Sequence, residues 1–339
     1  MLEGILASVI ERLAGKYVDG IDKKATELSV WRGEILLKDL SLKQTALDDF
    51  DLPVTLVAGK LEELRLDIPW KNLRSKPVIV KIKGLNMILS PNTNPKISAE
   101  EKKRRETLAK KDALAEFDIS LKYGFAQFDE KVSESFYSKL ITKIVDNVQI
   151  HISQIHVRYE DSTVHASHPF CAGVLLNHLS IESTNSTWKP AFVENQTFLN
   201  KLCNLKGFSI YLNSDEKMFW NDGMDLQEFL EGFSSVVDDI DELADDVSFD
   251  TKLLNFIIKP VDSIFRMRLN KSDEPDEAHP KYDAMWEINR LELSMQKQQY
   301  RDVIYTLEYF RNFERIARYN QFRPHVSVKE SPKEWWLFA

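Results

Sequence analysis

Apolar and polar residues alternate with a period of two along most of this chain. In "LEELRLDIPW", Leu64, Leu66, Ile68 and Trp70 fall on one side of an extended backbone, and Glu63, Arg65 and Asp67 fall on the other. A strand that buries one face needs that spacing, and a helix cannot use it. The alternation recurs in "ELSVWRGEILLKDLSL", "KPVIVKIKGLNMILSP", "FDISLKYGF", "VQIHISQIHVRYED", "GVLLNHLSIEST", "LKGFSIYLN", "LLNFIIKPVDSIFRMRLN" and "AMWEINRLELSMQ". The pattern predicts about ten strands. They follow one another through short turns such as Arg32-Gly33, which favours an antiparallel meander over a helix-crossed parallel sheet.

Three of these strands change phase part-way. Val78, Val80 and Ile82 share a face as far as Gly84, and then Leu85, Met87 and Leu89 take the other parity. Ile150 and Ile152 give way to Ile155, Val157 and Tyr159. Trp286 and Ile288 give way to Leu291, Leu293 and Met295. A one-residue slip inside a strand is what a β-bulge produces, so bulges that bend the sheet are expected near Gly84, Ser153–Gln154 and Asn289.

Helical periodicity breaks in at four places. "MLEGILASVIERLAGKYV" carries Leu2, Ile5, Leu6, Val9, Ile10 and Leu13 on one stripe, the signature of an amphipathic helix. It is no secretory signal, because Glu3, Glu11 and Arg12 interrupt it and no basic side chain precedes the apolar run. Ser98 and Glu101 form a capping box before the charged helix "SAEEKKRRETLAKKDALAEF". "VSESFYSKLITKIVDNV" is amphipathic. So is "QYRDVIYTLEYFRNFERIARY", with Tyr300, Val303, Ile304, Leu307 and Phe310 expected inside. Nothing approaches the ~18 uncharged apolar residues of a membrane span. No Pro/Ser/Gly linker divides the chain, which reads as one elongated domain over residues 1–339. The ending "KEWWLFA" suggests a fragment of a longer protein, with one end of the sheet left open.

The residues carry no recognisable chemistry. There is no nucleophile elbow, phosphate loop, zincin helix or C-x-x-C, and no catalytic, metal or cofactor site is expected. Glycine is scarce at 11 residues, which argues against Gly-rich phosphate loops. The two cysteines, Cys171 and Cys203, suggest a reducing compartment. A net charge of -8 argues against nucleic-acid binding. His165, His168 and nearby Asp161 read as a solvated loop in preference to a metal site. His151 and His156 lie at opposite parity on one strand. The basic run Lys102 to Arg105 with Lys110 and Lys111 reads either as a solvated helix, since acidic residues interleave, or as a contact for anionic lipid headgroups. What remains is the apolar face. About ten one-sided strands need cover, and the helices are few and narrow-striped. A closed barrel or sandwich core would hide the face, and a curved sheet would leave it as a trough.

The stretch from "MLEGILASVIERLAGKYV" through "WRGEILLKDLSL" and "LDIPW" to "KIKGLNMIL" resembles the N-terminal chorein region of the vacuolar protein sorting-associated protein thirteen family, the bridge-like lipid-transfer proteins. The resemblance continues in "IHVRYED", "GVLLNHLSIEST", "KPVDSIFRMRLN" and "RPHVSVKESPKEWW" and covers nearly the whole chain. It implies an α+β, β-rich fold: one long, strongly curved antiparallel sheet forming an apolar-lined scoop or open tube. Several amphipathic helices would lie at one end and on the outside. The chorein motif would occupy residues 1–115 and the same sheet would continue over 116–339.

The same resemblance implies glycerophospholipid binding and transfer between organelles at contact sites. The protein would be cytoplasmic and peripherally attached, with its N-terminal end toward the endoplasmic reticulum membrane. The remainder of the full-length protein would follow residue 339. The opening helix would seal the narrow end and touch the donor membrane. The groove would be lined by Leu64, Leu66, Ile68, Leu85, Met87, Leu89, Ile119, Leu121, Ile150, Ile152, Ile210, Leu212, Met267, Leu269, Leu291 and Leu293. The alternative is a protein-interaction scaffold in which this face is ordinary core.

Overall fold

The computed structural model describes residues 17–19, 33–50, 52–73, 75–92, 146–162, 168–194, 197–220, 254–272, 280–319 and 328–338, with Gly15, Lys143, Ile144 and Pro324. Nine strands lie side by side in chain order. They are β1 (Val18–Asp19), β2 (Glu34–Leu42), β3 (Val54–Asp67), β4 (Ile79–Pro91), β5 (Gln149–Asp161), β6 (Phe170–Thr184), β7 (Phe198–Ser214), β8 (Phe256–Asn270) and β9 (Tyr282–Ile288). Two helices follow, α1 (Lys297–Tyr319) and α2 (Pro332–Phe338). Every neighbouring pair is antiparallel except β4 and β5, which run parallel. The sheet is mixed at that one seam and otherwise the expected meander, an open scoop of strands with few helices. The opening helix, the charged helix after Ser98 and the "FDISLKYGF" strand lie outside the described residues.

The phase changes fall on one line across the sheet. Partner positions step over Asp39 opposite Glu62, Glu62 opposite Gly84, Gly84 opposite Gln154, and Gln154 opposite Asn177. Asn177 faces Gly207, whose amide donates to Asp262 Oδ1 at 2.8 Å, and the Asn289 amide donates to the Asp262 carbonyl at 3.1 Å. Backbone φ is positive at Asp39 (53°), Gly84 (68°), Gln154 (55°) and Gly207 (61°). Those four sit on β2, β4, β5 and β7, the strands that run in one direction. The returning strands β3, β6 and β8 contribute Glu62, Asn177 and Asp262.

The register of β2 through β6 is the same on both sides of the line. The expected bulges at Gly84 and Gln154 are therefore not insertions of one residue against a neighbour. They are matched left-handed kinks, a crease. Register shifts do occur at Leu56/Ala58 and between β7 and β8. At Asn289 the strand ends, and the chain resumes in an isolated bridge between Leu293 and Ile258.

The crease keeps one face apolar. Leu37 and Leu40, Leu64 and Leu61, and Ile82 and Leu85 are pairs of opposite parity astride it, yet all six share one cluster with Val18. Without the phase change one member of each pair would turn to the other side.

Left-handed backbone costs an L residue roughly 1–2 kcal/mol, and glycine almost nothing. A Cβ on Gly84 would also collide with the Glu62 side chain. Gly84→Ala is expected to destabilise the chain by at least about 2 kcal/mol. Gln154→Gly on the adjacent strand should be neutral within about 0.5 kcal/mol. Thermal melts of the two variants check this, and equal shifts would mean that the crease is not held by left-handed backbone.

Candidate functional site: the apolar face of the sheet

The strand register assembles the face row by row. On one side of the crease, Leu66, Val80, Ile150, Ile181, Cys203, Phe265 and Trp286 are successive partners from β3 to β9. Leu64, Ile82, Ile152, Leu179 and Leu205 form the next row. Beyond the crease, Met87, Val157, Val174, Ile210 and Ile258 line up, and Leu293 bridges to Ile258. Leu89, Tyr159, Ala172 and Leu212 follow, and Leu85 pairs with Leu61 and Ile155. Met267 and Leu269 keep the parity of Phe265.

Thus Leu64, Leu66, Leu85, Met87, Leu89, Ile150, Ile152, Ile210, Leu212, Met267, Leu269 and Leu293 share one side, and Ile68 joins it just past the end of β3. Leu291 follows the end of β9 and is exposed. Ile119 and Leu121 lie outside the described residues. Alternation did not single out Leu179, Ile181, Val174, Leu176, Cys203, Leu205, Phe208 or Phe265. Beyond the crease β6 has apolar residues toward both sides, so "VLL" blurs the period, and in "KLCNL" the lysine interrupts it.

Among the described residues the face is packed at its margins and only half-buried along its middle. Ile35, Ile68 and Leu73 are buried together, with Leu66, Trp70, Val78 and Ile144 against them. At the far end α1 crosses the strand ends. Gln299 Nε2 donates to the carbonyls of Leu212 (2.8 Å) and Asn255 (3.1 Å), and Tyr309 Oη donates to Asn92 O at 2.7 Å. Ser214 Oγ donates to Asp302, and Phe310 packs on the Tyr159 ring. The helix therefore buries Gln299, Asp302 and Phe313. Tyr300, Ile304 and Leu307, expected inside, are exposed, Leu307 by 56%. Strand ends offer carbonyls that need donors, and a purely apolar stripe could not serve them. Between these margins Ile150, Ile152, Leu179, Ile181 and Leu205 are half-buried, and among the described residues none joins a buried cluster. At the β9 edge Trp286 is 64% exposed and Leu293 67%.

The opposite face differs on the two sides of the crease. Toward the Leu66 row it is polar, with Arg65 bonded to Glu34 and Asp67 at 2.8 and 2.9 Å. Beyond the crease it is a second core. His156 Nε2 and Tyr211 Oη share a hydrogen bond of 2.8 Å, and both side chains are buried with Cys171 and Leu175. Burial, then the Arg158 charge, holds the His156 imidazole down to about 3. Burial pushes the Cys171 thiol up to about 11, which makes it a poor nucleophile. Arg158 Nε donates to Glu160 Oε1 at 2.6 Å, and Glu160 accepts the amides of Phe219 and Trp220 at 2.9 and 3.2 Å. Phe219 and Trp220 in turn pack on Ala58 and Ile88.

His151 and His156 lie on this same face, because the strand changes phase between them, contrary to the expectation from parity. His151 stacks on His178 at 6.3 Å. Asp161 accepts from Tyr159 Oη at 2.6 Å and His168 Nδ1 lies 2.9 Å from Asp215, while His165 is outside the described residues. Among the described residues no helix is long and apolar enough to cross a membrane.

Residues 1–339 match, end to end, the profile of the VPS13-like family N-terminal region. The chain belongs to that family. Over its whole length it is 32% identical to the intermembrane lipid transfer protein VPS13 of Chaetomium thermophilum and 31% identical to the intermembrane lipid transfer protein vps13A of Dictyostelium discoideum. It is 27% identical to the intermembrane lipid transfer protein VPS13A of Mus musculus. It covers 11%, 10% and 10% of those proteins, so the chain spans about a tenth of the length of the curated relatives it matches.

The buried His156 gives this VPS13-like sheet an acid sensitivity. Its folded pKa lies below the unfolded value of 6.5, so between those values the unfolded chain binds a proton that the folded chain refuses. Stability is complete above pH 6.5 and falls by about 1.4 kcal/mol per pH unit as the pH drops toward about 3. His156→Gln removes this contribution. Urea titrations at pH 7.5 and 5.5 should show the natural chain losing about 1.4 kcal/mol more than the variant. Equal losses would mean that His156 is already protonated in the fold.

Proposed function

We propose that the apolar face holds the acyl chains of glycerophospholipids, and that the chain is the first stretch of a longer conduit carrying them between organelle membranes at contact sites. The observation that supports this most directly is the half-buried middle of the face. Ile150, Ile152, Leu179, Ile181 and Leu205 are in register yet outside the packed clusters. Burying each CH₂ of a lipid tail is worth roughly 0.8 kcal/mol, so a water-exposed trough of this kind gains by filling. Tails also tolerate a lining that is merely apolar, whereas a protein core needs complementary shapes. The similarity to proteins named intermembrane lipid transfer proteins supports the same reading.

In this reading residues 1–339 form one lipid-transfer domain. Its opening helix, with Leu2, Ile5, Leu6, Val9, Ile10 and Leu13, meets the endoplasmic reticulum membrane. The β9 edge and the exposed side of α1 continue into the part of the protein after residue 339. Transfer of this kind needs many similar weak sites and no covalent step. The protein is then peripheral to membranes on the cytoplasmic side.

The structure also selects residues for the test. Leu66 packs against buried Ile35, so a charge there would report on folding. Ile152 and Leu205 flank Leu179 in a single open row. The double variant Ile152→Glu, Leu205→Glu is expected to lose co-purifying phospholipid in native mass spectrometry. Its melting temperature should stay within a few degrees of the natural chain's, a stability change below about 1 kcal/mol. Ile35→Glu, at a fully buried site, should cost several kcal/mol and unfold the chain. If the double variant unfolds as Ile35→Glu does, the face is ordinary core and the interaction-scaffold reading takes its place.

A further inference from the structure

Lys201 stands on the apolar face. Its row runs Ser183, Lys201, Met267, Ala284. Along β7 its same-side neighbours are Leu199 and Cys203, and across the strands it is flanked by Ile181, Phe265 and Leu269. Within the described strands β2 to β8 it is the one cation at a position of this parity, and Lys271 follows just past the end of β8.

A lysine with nothing to do on such a surface turns its ammonium outward to water along the shortest path. Lys201 instead extends along the face. Its Nζ lies 3.5 Å from the carbonyl of Val148, the residue leading into β5, two strands away. With strands spaced ~4.8 Å apart, that reach spans the width of β6. The contact is long, and an ammonium has three hydrogens to donate.

Counted with Lys201 itself, the charges gathered here sum to one positive. Asp146 is the nearby carboxylate, and it is paired with Lys271. The carbonyl of Asp146 accepts from Ser183 Oγ. Two lysines and one aspartate thus gather where the apolar rows meet the strand ends. Burial lowers the Lys201 pKa, and the pull of Asp146, stronger than the push of Lys271, only partly offsets it. An anion brought to this spot would relieve that strain.

We infer that Lys201 is the phosphate contact of the groove: its ammonium meets the phosphodiester of a phospholipid whose chains lie along Ile181, Cys203 and Phe265 toward the crease. This rests on the lipid-binding reading above and adds a specificity to it. Diacylglycerol offers the same chains without a charge, and a free fatty acid offers a single chain with its charge. A free phosphate ester has the charge without the chains that hold it in place. The site takes a phosphate and a pair of tails together.

The test uses the purified chain of 339 residues and vesicles of phosphatidylcholine doped with tail-labelled phosphatidylcholine or tail-labelled diacylglycerol. Protein-bound label is measured after the vesicles are removed. The natural chain should take up labelled phosphatidylcholine over labelled diacylglycerol by about tenfold, the worth of one charge-assisted hydrogen bond. Lys201→Met and Lys201→Gln should each bring that ratio to within about twofold of unity, and Lys201→Arg should keep it. Glycerol 3-phosphate added in solution should not compete.

A ratio that survives both Lys201→Met and Lys201→Gln overturns the assignment. So does displacement of the label by glycerol 3-phosphate, or a preference for oleate over the phospholipid. A natural chain that binds both labelled lipids equally defeats the role of Lys201 and leaves the lipid groove standing. One that binds neither defeats the groove itself.

Discussion

A strand shows alternate residues to alternate sides, and a sheet that must keep one side apolar across a bend has to break that rule once in every strand it bends. The crease answers this constraint, and the rest of the architecture depends on it. Asp39, Gly84, Gln154 and Gly207 take left-handed backbone on the strands that run one way. Glu62, Asn177 and Asp262 stand on the returning strands between them. The Glu62 side chain lies over Gly84, that of Asn177 lies over Gly207, and Asp262 accepts the Gly207 amide. Glu62 and Asn177 occupy the space beside the kinked glycines, and Asp262 takes up an amide that the kink leaves. Rows as distant as Leu66–Val80–Ile150 and Met87–Val157–Val174 then form a single surface.

The crease also divides the opposite side of the sheet. Toward the Leu66 row that side carries ion pairs in contact with water, which stabilise little. Beyond the crease it carries the His156–Tyr211 pair and the Arg158–Glu160 pair, with the Phe219–Trp220 segment held by Glu160. An apolar trough with thin support behind it would be free to close on itself. The aromatic core gives half of the trough a stiff back, and α1 fixes the strand ends through Gln299 and Tyr309.

Much of this was legible because alternation is a direct readout of one-sided burial. It predicted most of the strands and the phase changes at Gly84 and Gln154, and twelve of the apolar residues it selects share one side of the sheet. It failed where its premise fails. Leu175 is buried in the core behind the sheet while adjacent Leu176 faces the trough, so two apolar residues in a row carry no phase. The apolar stripe of α1 misleads because its buried side carries Gln299 and Asp302, which serve strand-end carbonyls and the Ser214 hydroxyl. The parallel seam between β4 and β5 was invisible, since direction of pairing leaves no mark on the side-chain period. The left-handed residues were half visible. Gly84 announces itself, but Gln154 and Asp39 adopt the same backbone with side chains that give no warning.

One consequence of the crease belongs to genetics. In any strand with one buried face, losing a single codon turns every later side chain over unless a nearby loop takes up the missing residue. Here the phase of each strand is pinned from both ends and reset once in the middle. A deletion at Gly84 would leave the segment before it in place and rotate the segment after it by half a turn. Asn86 and Ile88, now buried behind the sheet, would be delivered to the trough, and Met87 and Leu89 would be taken from it. A replacement along these strands changes one side chain, whereas a change of length at the crease changes every one that follows it.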